Sequence, residues 1–233
     1  MKRRILFGLF LAFAGIVAAT AFYLKGWWIP NYPSERDYPV RGIDVSHHQG
    51  VINWNAIPKS VQFAYIKATE GTDYVDPNFT SNWKGSALVN IRQGAYHFYR
   101  LDKPGMKQAE NFLRSVPKVP NALPPVIDLE LGGNASKLPA PDDFQRELRT
   151  FIEVLKTWYG TEPMIYTEPT FESTLLRGFP IARRWKPSFF LPLKHDDQWQ
   201  VWQYSERTRV KGISATVDAD VFNGSQQEFD AWH

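Results

Sequence analysis

Five carboxylic acids stand where such groups are seldom kept. Asp44 lies in Gly42-Ile-Asp-Val-Ser46, Asp128 and Glu130 lie in Pro124-Pro-Val-Ile-Asp-Leu-Glu130, and Asp218 and Asp220 lie in Val217-Asp-Ala-Asp-Val221. Each falls within or at the end of a short apolar run of strand type. Burying an ionised group is costly, so packing alone rarely retains one there. Residues i and i+2 of a strand share a face about 6.6 Å apart, which points Asp128 and Glu130 the same way. Crowded carboxylates push one another's pKa values apart, so one stays protonated as a general acid while another stays ionised. Hydrolysis of a glycosidic bond needs that pair, one group to protonate the leaving oxygen and one to stabilise positive charge at the anomeric carbon. Any one of these acids alone reads equally well as an ion-pair partner or a helix cap. Their recurrence at several strand ends favours chemistry.

The elements that must position them follow from periodicity. Strand-type runs recur at Gly42–Ser46, Gln62–Ala68, Gln93–Tyr99, Pro125–Leu129, Met164–Thr167, Phe189–Leu193, Val201–Tyr204 and Val217–Phe222. Phe63-Ala-Tyr-Ile66 and Val126-Ile-Asp-Leu129 are apolar on both faces, the habit of strands in parallel sheets. Helical spacing appears at Gly105–Ser115 (Met106, Ala109, Phe112, Leu113). It appears again at Asp142–Tyr159, with Phe144, Leu148, Phe151, Ile152 and Leu155 on one face and Asp142-Asp143 as cap. Strands alternating with helices predict an α/β fold, an irregular (β/α) barrel of TIM type with about eight strands. The last three strands leave little room for helices between them, so irregularity is expected at that end. Strand ends of such a barrel converge on one mouth.

Other chemistries are weaker. His47, His48 and His97 also sit at strand ends and could join Asp44 around a metal, but no H-x-x-H or H-E-x-x-H spacing accompanies them. Hydrogen-bonding roles are the better reading, and no metal or cofactor is expected. Ser46 lacks a G-x-S-x-G setting, and no glycine loop for phosphate is present. Cysteine is absent from the 233 residues, which removes disulfides, thiolate nucleophiles and cysteine-bound metals together.

Composition is globular, with 43% hydrophobic and 22% charged residues. Aromatic content stands out: 9 Trp, 10 Tyr and 16 Phe make 15% of the chain. Most must build the core, and some suit a groove in which sugar rings stack. The net charge of +3 is local. Lys2, Arg3, Arg4 and Lys25 stand among the first 25 residues without an acid, and the remainder carries one more acid than base. A near-neutral body offers no footprint for nucleic acid.

The basic start precedes an unbroken apolar or small run from Ile5 to Leu24. At ~1.5 Å per residue it spans ~30 Å, the hydrocarbon thickness of a bilayer. Ala19-Thr20-Ala21 offers a cleavage site, as in a signal peptide. The length of the run, and Trp27-Trp28 beyond it, favour a retained signal-anchor with its basic end inside. Residues 1–25 are thus read as signal or anchor, 26–39 (with Pro30, Pro33 and Pro39) as linker, and 40–233 as the barrel. Either reading of the first segment places the body outside the cytoplasm: held at the inner membrane through residues 5–24 and facing the periplasm or cell exterior, or secreted.

From Gly42 to Gly224 the motifs resemble glycoside hydrolase family 25, the N-acetylmuramidase lysozymes. They are Gly-Ile-Asp-Val-Ser-His-His-Gln-Gly (42–50), Phe-Ala-Tyr-Ile-Lys-Ala-Thr-Glu-Gly (63–71), Asp76-Pro77 with Phe79, Gly-Ala-Tyr-His-Phe-Tyr (94–99), Asp128-Leu-Glu130, Trp202-Gln-Tyr204 and Val-Asp-Ala-Asp-Val-Phe-Asn-Gly (217–224). The resemblance implies metal-free cleavage of the β-1,4 bond between N-acetylmuramic acid and N-acetylglucosamine in peptidoglycan, by a monomer. By position Glu130 would be the general acid. Asp128 would assist, orienting the substrate's own acetamido group as internal nucleophile. Asp44 and Asp218 would complete the acidic cleft. Tyr96, Trp202 and Tyr166 would contact sugar. Lys67 and Glu70 would either contact substrate or form an internal ion pair that orients the cluster. Phe189–Lys194 departs from the family pattern Trp-x-Ala-x-Tyr, and Pro192 weakens it as a central strand. Two other functions remain on the page: a chitinase-like hydrolase, which also uses strand-end acids and acetamido participation, and a non-catalytic glycan-binding module.

Overall fold

A computed structural model describes residues 2–194 and 198–232. Strands β1 (Arg41–Val45), β2 (Val61–Glu70), β4 (Arg92–Phe98), β5 (Val126–Leu129), β6 (Met164–Thr167), β7 (Arg184–Pro187), β8 (Val201–Thr208) and β9 (Val217–Phe222) form one sheet. β1 pairs with both β2 and β9, so the sheet closes on itself as an eight-stranded barrel. The two-residue β3 (Tyr74–Val75) hangs from the end of β2. Helices α2 (Phe79–Leu88), α3 (Gly105–Ser115), α4 (Pro141–Tyr159), α5 (Pro169–Leu175) and α6 (Gln226–Asp230) follow strands, while α1 (Lys2–Leu24) precedes the barrel.

Strand alternation sorts the core into an inside and an outside. Facing in are Phe63, Tyr65, Val126, Met164, Tyr166, Trp185, Val201 and Phe222, which fill the barrel from below. Gly42 and Gly94 make room for this filling, since a Cβ at either would run into the Phe63 or Tyr65 ring. Facing out are Ile43, Ile66, Ala95, Ile127, Leu129 and Ile165, covered by Phe112 of α3, by Phe144, Leu148, Phe151 and Leu155 of α4, and by Phe171 of α5. α4 begins with Pro141 at its first turn and stops at Gly160, whose φ of 77° is a left-handed cap.

The expected irregularity has a particular form. β9 is antiparallel to both neighbours, while the seven other strands of the barrel run parallel to one another. Among the described residues, none of α2–α6 contributes to the cluster on the outer face of β8 and β9. Trp199, Trp202, Tyr204, Ala219 and Val221 are sealed there by Tyr38 and Ile29, from residues 26–39. Tyr32 packs on Tyr204 at 5.7 Å, and buried Asn31 donates to the carbonyls of Ser188 (2.9 Å) and Leu191 (2.8 Å). The segment therefore replaces the missing helix.

The seventh strand differs from expectation. It is Arg184–Pro187 rather than Phe189–Leu193. Arg-Trp-Lys-Pro carries a single apolar inward residue, Trp185, and so shows no run to read. Phe190 and Leu191 are exposed, and Pro192 lacks the N–H that a central strand must donate.

Candidate active site

The mouth of the barrel is lined by inward residues at or just beyond the ends of several strands. Asp128 sits in β5, with Glu130 one residue past the strand end on the same face. Asp44 near the end of β1 pairs directly with Asp218 of β9, and Gly42 pairs with Asp220 one step deeper. Because β9 is reversed, Asp218 reaches the mouth from the beginning of its strand, while Asp44 and Asp128 reach it from the C-terminal ends of theirs. These residues surround a cleft of about 170 Å³, walled by Tyr96, Tyr166, Trp185, Phe189, Gln203, Glu168 and Glu206.

Burial dominates the electrostatics. It pushes the Asp128 carboxyl well above the usual carboxylate range, the Glu130 charge adds to this, and Lys67 opposes it. Burial also raises Glu130, with Glu168 adding, while a hydrogen bond with Asp128 and the charge of Lys67 pull it down. Each carboxyl thus bears on the other's proton affinity, and burial keeps both above the usual carboxylate range. Asp128 Oδ1 is buried with no hydrogen-bond partner among the described residues. Asp44 is raised by burial and by Asp220, offset by Gln203, whose amide donates to Asp44 Oδ2 at 3.0 Å. Asp218 is raised by burial and then by Asp44. Asp220, fully buried, is raised by burial and Asp218, while Trp185 Nε1 donates to it at 3.0 Å.

The remaining expected residues divide. Tyr96 and Tyr166 line the cleft, and the Tyr166 hydroxyl donates to Gln203 Oε1 at 2.9 Å, fixing the amide that holds Asp44. Lys67 and Glu70 form an ion pair of 2.8 Å, steadied by Arg100 at 3.4 Å from Glu70. Neither lines the cleft, and the charge of Lys67 acts on Asp128 and Glu130. Trp202 is not brought to the cleft. It is 1% exposed on the outer face of β8 and donates Nε1 to the Ser188 carbonyl at 2.8 Å. In Trp202-Gln-Tyr204 the inward residue is the middle one, Gln203. The histidines make hydrogen bonds: His47 with Asp76 at 2.8 Å, and His97 with Thr69 and Gln108 at 2.7 and 3.1 Å. Glu168, Glu206, Gln203, Trp185 and Phe189 escaped sequence reading. Glu168 directly follows a strand end, and Gln203 stands at an inward step of β8, both signals that strand alternation supplies. Trp185 and Phe189 were hidden by the misplaced seventh strand.

A closed α/β barrel with neighbouring acids of raised pKa at the mouth of an aromatic-walled cleft defines a class: this is a glycosidase. The sequence model of glycosyl hydrolases family 25 matches residues 43–213, and the chain belongs to that family. It is 33% identical over 204 residues to the protein YegX of Escherichia coli O157:H7, covering 84% of this chain and 74% of that one. It is 35% identical to lysozyme M1 of Streptomyces globisporus over 204 residues, 80% of this chain and 68% of the relative. The solved structure of a family 25 glycosyl hydrolase from Bacillus anthracis superposes with a TM-score of 0.79 at 35% identity, covering 87% of this chain and 96% of the other.

Proposed function

We propose that this protein is a lysozyme-type muramidase that hydrolyses the β-1,4 bond between N-acetylmuramic acid and N-acetylglucosamine in peptidoglycan. The observation that supports the residue roles is the pair Asp128–Glu130 lining the cleft, both carboxyls held above their usual range by burial. Glu130, the less deeply buried of the two, gives its proton to the glycosidic oxygen as the bond to the anomeric carbon breaks. Asp128 Oδ1 accepts the N–H of the substrate's acetamido group and turns its carbonyl oxygen toward the anomeric carbon. Asp44 and Asp218 add negative potential opposite the positive charge that develops there. Glu130 then recovers a proton from the water that completes hydrolysis. Tyr96, Trp185 and Phe189 offer ring surface to the sugars.

Purified protein incubated with peptidoglycan will release new muramic acid reducing ends, and Glu130→Gln will lower kcat by about 10²–10⁴-fold with little change in KM. Equal turnover by that variant sinks the assignment of the acid. Faster cleavage of chito-oligosaccharide than of peptidoglycan would instead make this a chitinase-like enzyme.

We further infer that α1 stays attached as a membrane anchor. Arg3–Leu24 is long and apolar enough to cross a bilayer, with none of its most apolar stretch buried against the barrel. Its basic end supports an inside position, and the barrel then stands outside the cytoplasm, where its substrate lies.

A further inference from the structure

The outer end of α1 is fixed to the barrel rather than trailing from it. The Tyr23 ring packs on Phe190 at 5.8 Å, and the Arg207 guanidinium lies over the same ring at 5.5 Å. Arg209 Nε donates to the Lys25 carbonyl at 2.6 Å. Gly26, at φ 68°, passes so near the Arg207 carbonyl that any Cβ would collide with it. Asn31 then ties residues 26–39 to the 188–191 turn. Both anchoring segments belong to the rim of the cleft. Phe189 and Glu206 line the cleft, and the next residue of each, Phe190 and Arg207, touches Tyr23.

Depth follows from helix rise. With Arg4 at the inner boundary, the 19 residues to Tyr23 climb ~29 Å, which sets Tyr23 at the outer boundary of a ~30 Å hydrocarbon layer. Phe190 lies at that level, and Phe190 and Leu191 are 64% and 74% exposed. Trp27 and Trp28 are exposed beside the helix end, so an aromatic belt is built partly from α1 and partly from a barrel loop. Lys25 and Arg209 lie exposed at the helix end, as headgroup phosphates require.

We propose that the 188–193 loop is a second membrane contact, which seats the rim of the cleft on the outer surface of the bilayer that α1 spans. Phe190 and Leu191 enter the interfacial layer, and the basic residues meet anionic headgroups. The cleft thus opens beside the lipid surface, and its substrate is glycan lying against that surface, including strands still joined to a lipid, in preference to distant layers of wall. The inference rests on α1 being a retained anchor.

The absence of native cysteine makes a single introduced thiol unique. Full-length Leu191→Cys and Leu88→Cys, each bearing a fluorophore, are placed in vesicles of phosphatidylglycerol and phosphatidylethanolamine with brominated acyl chains. Leu88 is 83% exposed at the opposite end of the barrel. The label at 191 will be quenched at least threefold more than that at 88. Equal quenching, with α1 intact in the membrane, overturns the contact and leaves the anchor standing. Recovery of the chain from its native membrane without α1 overturns both. In unlabelled protein, Leu191→Asp will keep its turnover of soluble glycan fragments and lose about tenfold on glycan tethered to vesicles by lipid. Unchanged turnover of tethered glycan, or equal loss on both substrates, counts against the proposal. The quenching readout stands whether or not either glycan is cleaved.

Discussion

At the scale of single residues, the chemistry depends on how much negative charge the mouth tolerates. Asp128 and Glu130 are both raised by burial, and Lys67 is the cation that restrains them. Replacing Lys67 with Met removes that restraint, so both carboxyls hold their protons to higher pH. The whole pH–kcat/KM profile of Lys67→Met will therefore move alkaline, and a profile that stays in place would show that this charge does not reach the pair. Asp220 carries a different burden. It is buried, raised by burial and by Asp218, and it does not line the cleft. A carboxyl whose folded pKa is raised contributes stability that is full below its unfolded value and is lost as pH rises through the folded value. Asp220→Asn keeps an acceptor for Trp185 and removes this loss. Its melting temperature will exceed that of the unsubstituted protein at pH 7, and the gap will close toward pH 4.

At the scale of elements, the sequence exposes what alternation and periodicity can carry. Long amphipathic helices such as α4 and apolar strands such as β5 declare themselves, and so do the acids they hold. β7 does not, because Arg-Trp-Lys-Pro places one apolar residue inward and is bounded by polar neighbours. The reversal of β9 is invisible as well: a strand reads alike in both directions, and only pairing with β1 and β8 shows which end of Val217–Phe222 meets the mouth. Trp202 illustrates the limit at one residue. Its ring suits a sugar, yet the pleat turns Gln203 inward and Trp202 toward residues 26–39. Those residues read as linker for want of periodicity, yet they pack on the barrel through irregular contacts that no spacing announces. Asn31→Ala removes both bonds to the 188–191 turn, and urea denaturation will show a loss of about 1–3 kcal/mol.

At the scale of the molecule, acid and base groups inside the fold pull stability in opposite directions. Burial lowers the pKa of His97 to about 3, although Gln108 accepts from it in part compensation. A base whose folded pKa is depressed contributes stability that is present above its unfolded value of 6.5 and is lost as pH falls toward 3. This group alone removes about 1.4 kcal/mol per pH unit below that point. The buried carboxyls, raised by burial, work against it at pH values above their unfolded value of 3.8. Denaturation of His97→Gln at pH 4.5 and 6.5 will show a shallower acid loss than the unsubstituted protein, and an unaltered slope would mean that burial does not depress the pKa of His97 in the folded protein.

The reversed ninth strand also decides when the enzyme can first act. Asp44 is synthesised well before Asp218, and they become neighbours only when the first and ninth strands of the barrel meet. Until then Asp44 lacks Gln203 and Asp218, the ring of strands is open, and no cleft exists. A chain still emerging from the ribosome or threading through the membrane is therefore harmless to the wall it is built to cut: the blade is armed by its own completion.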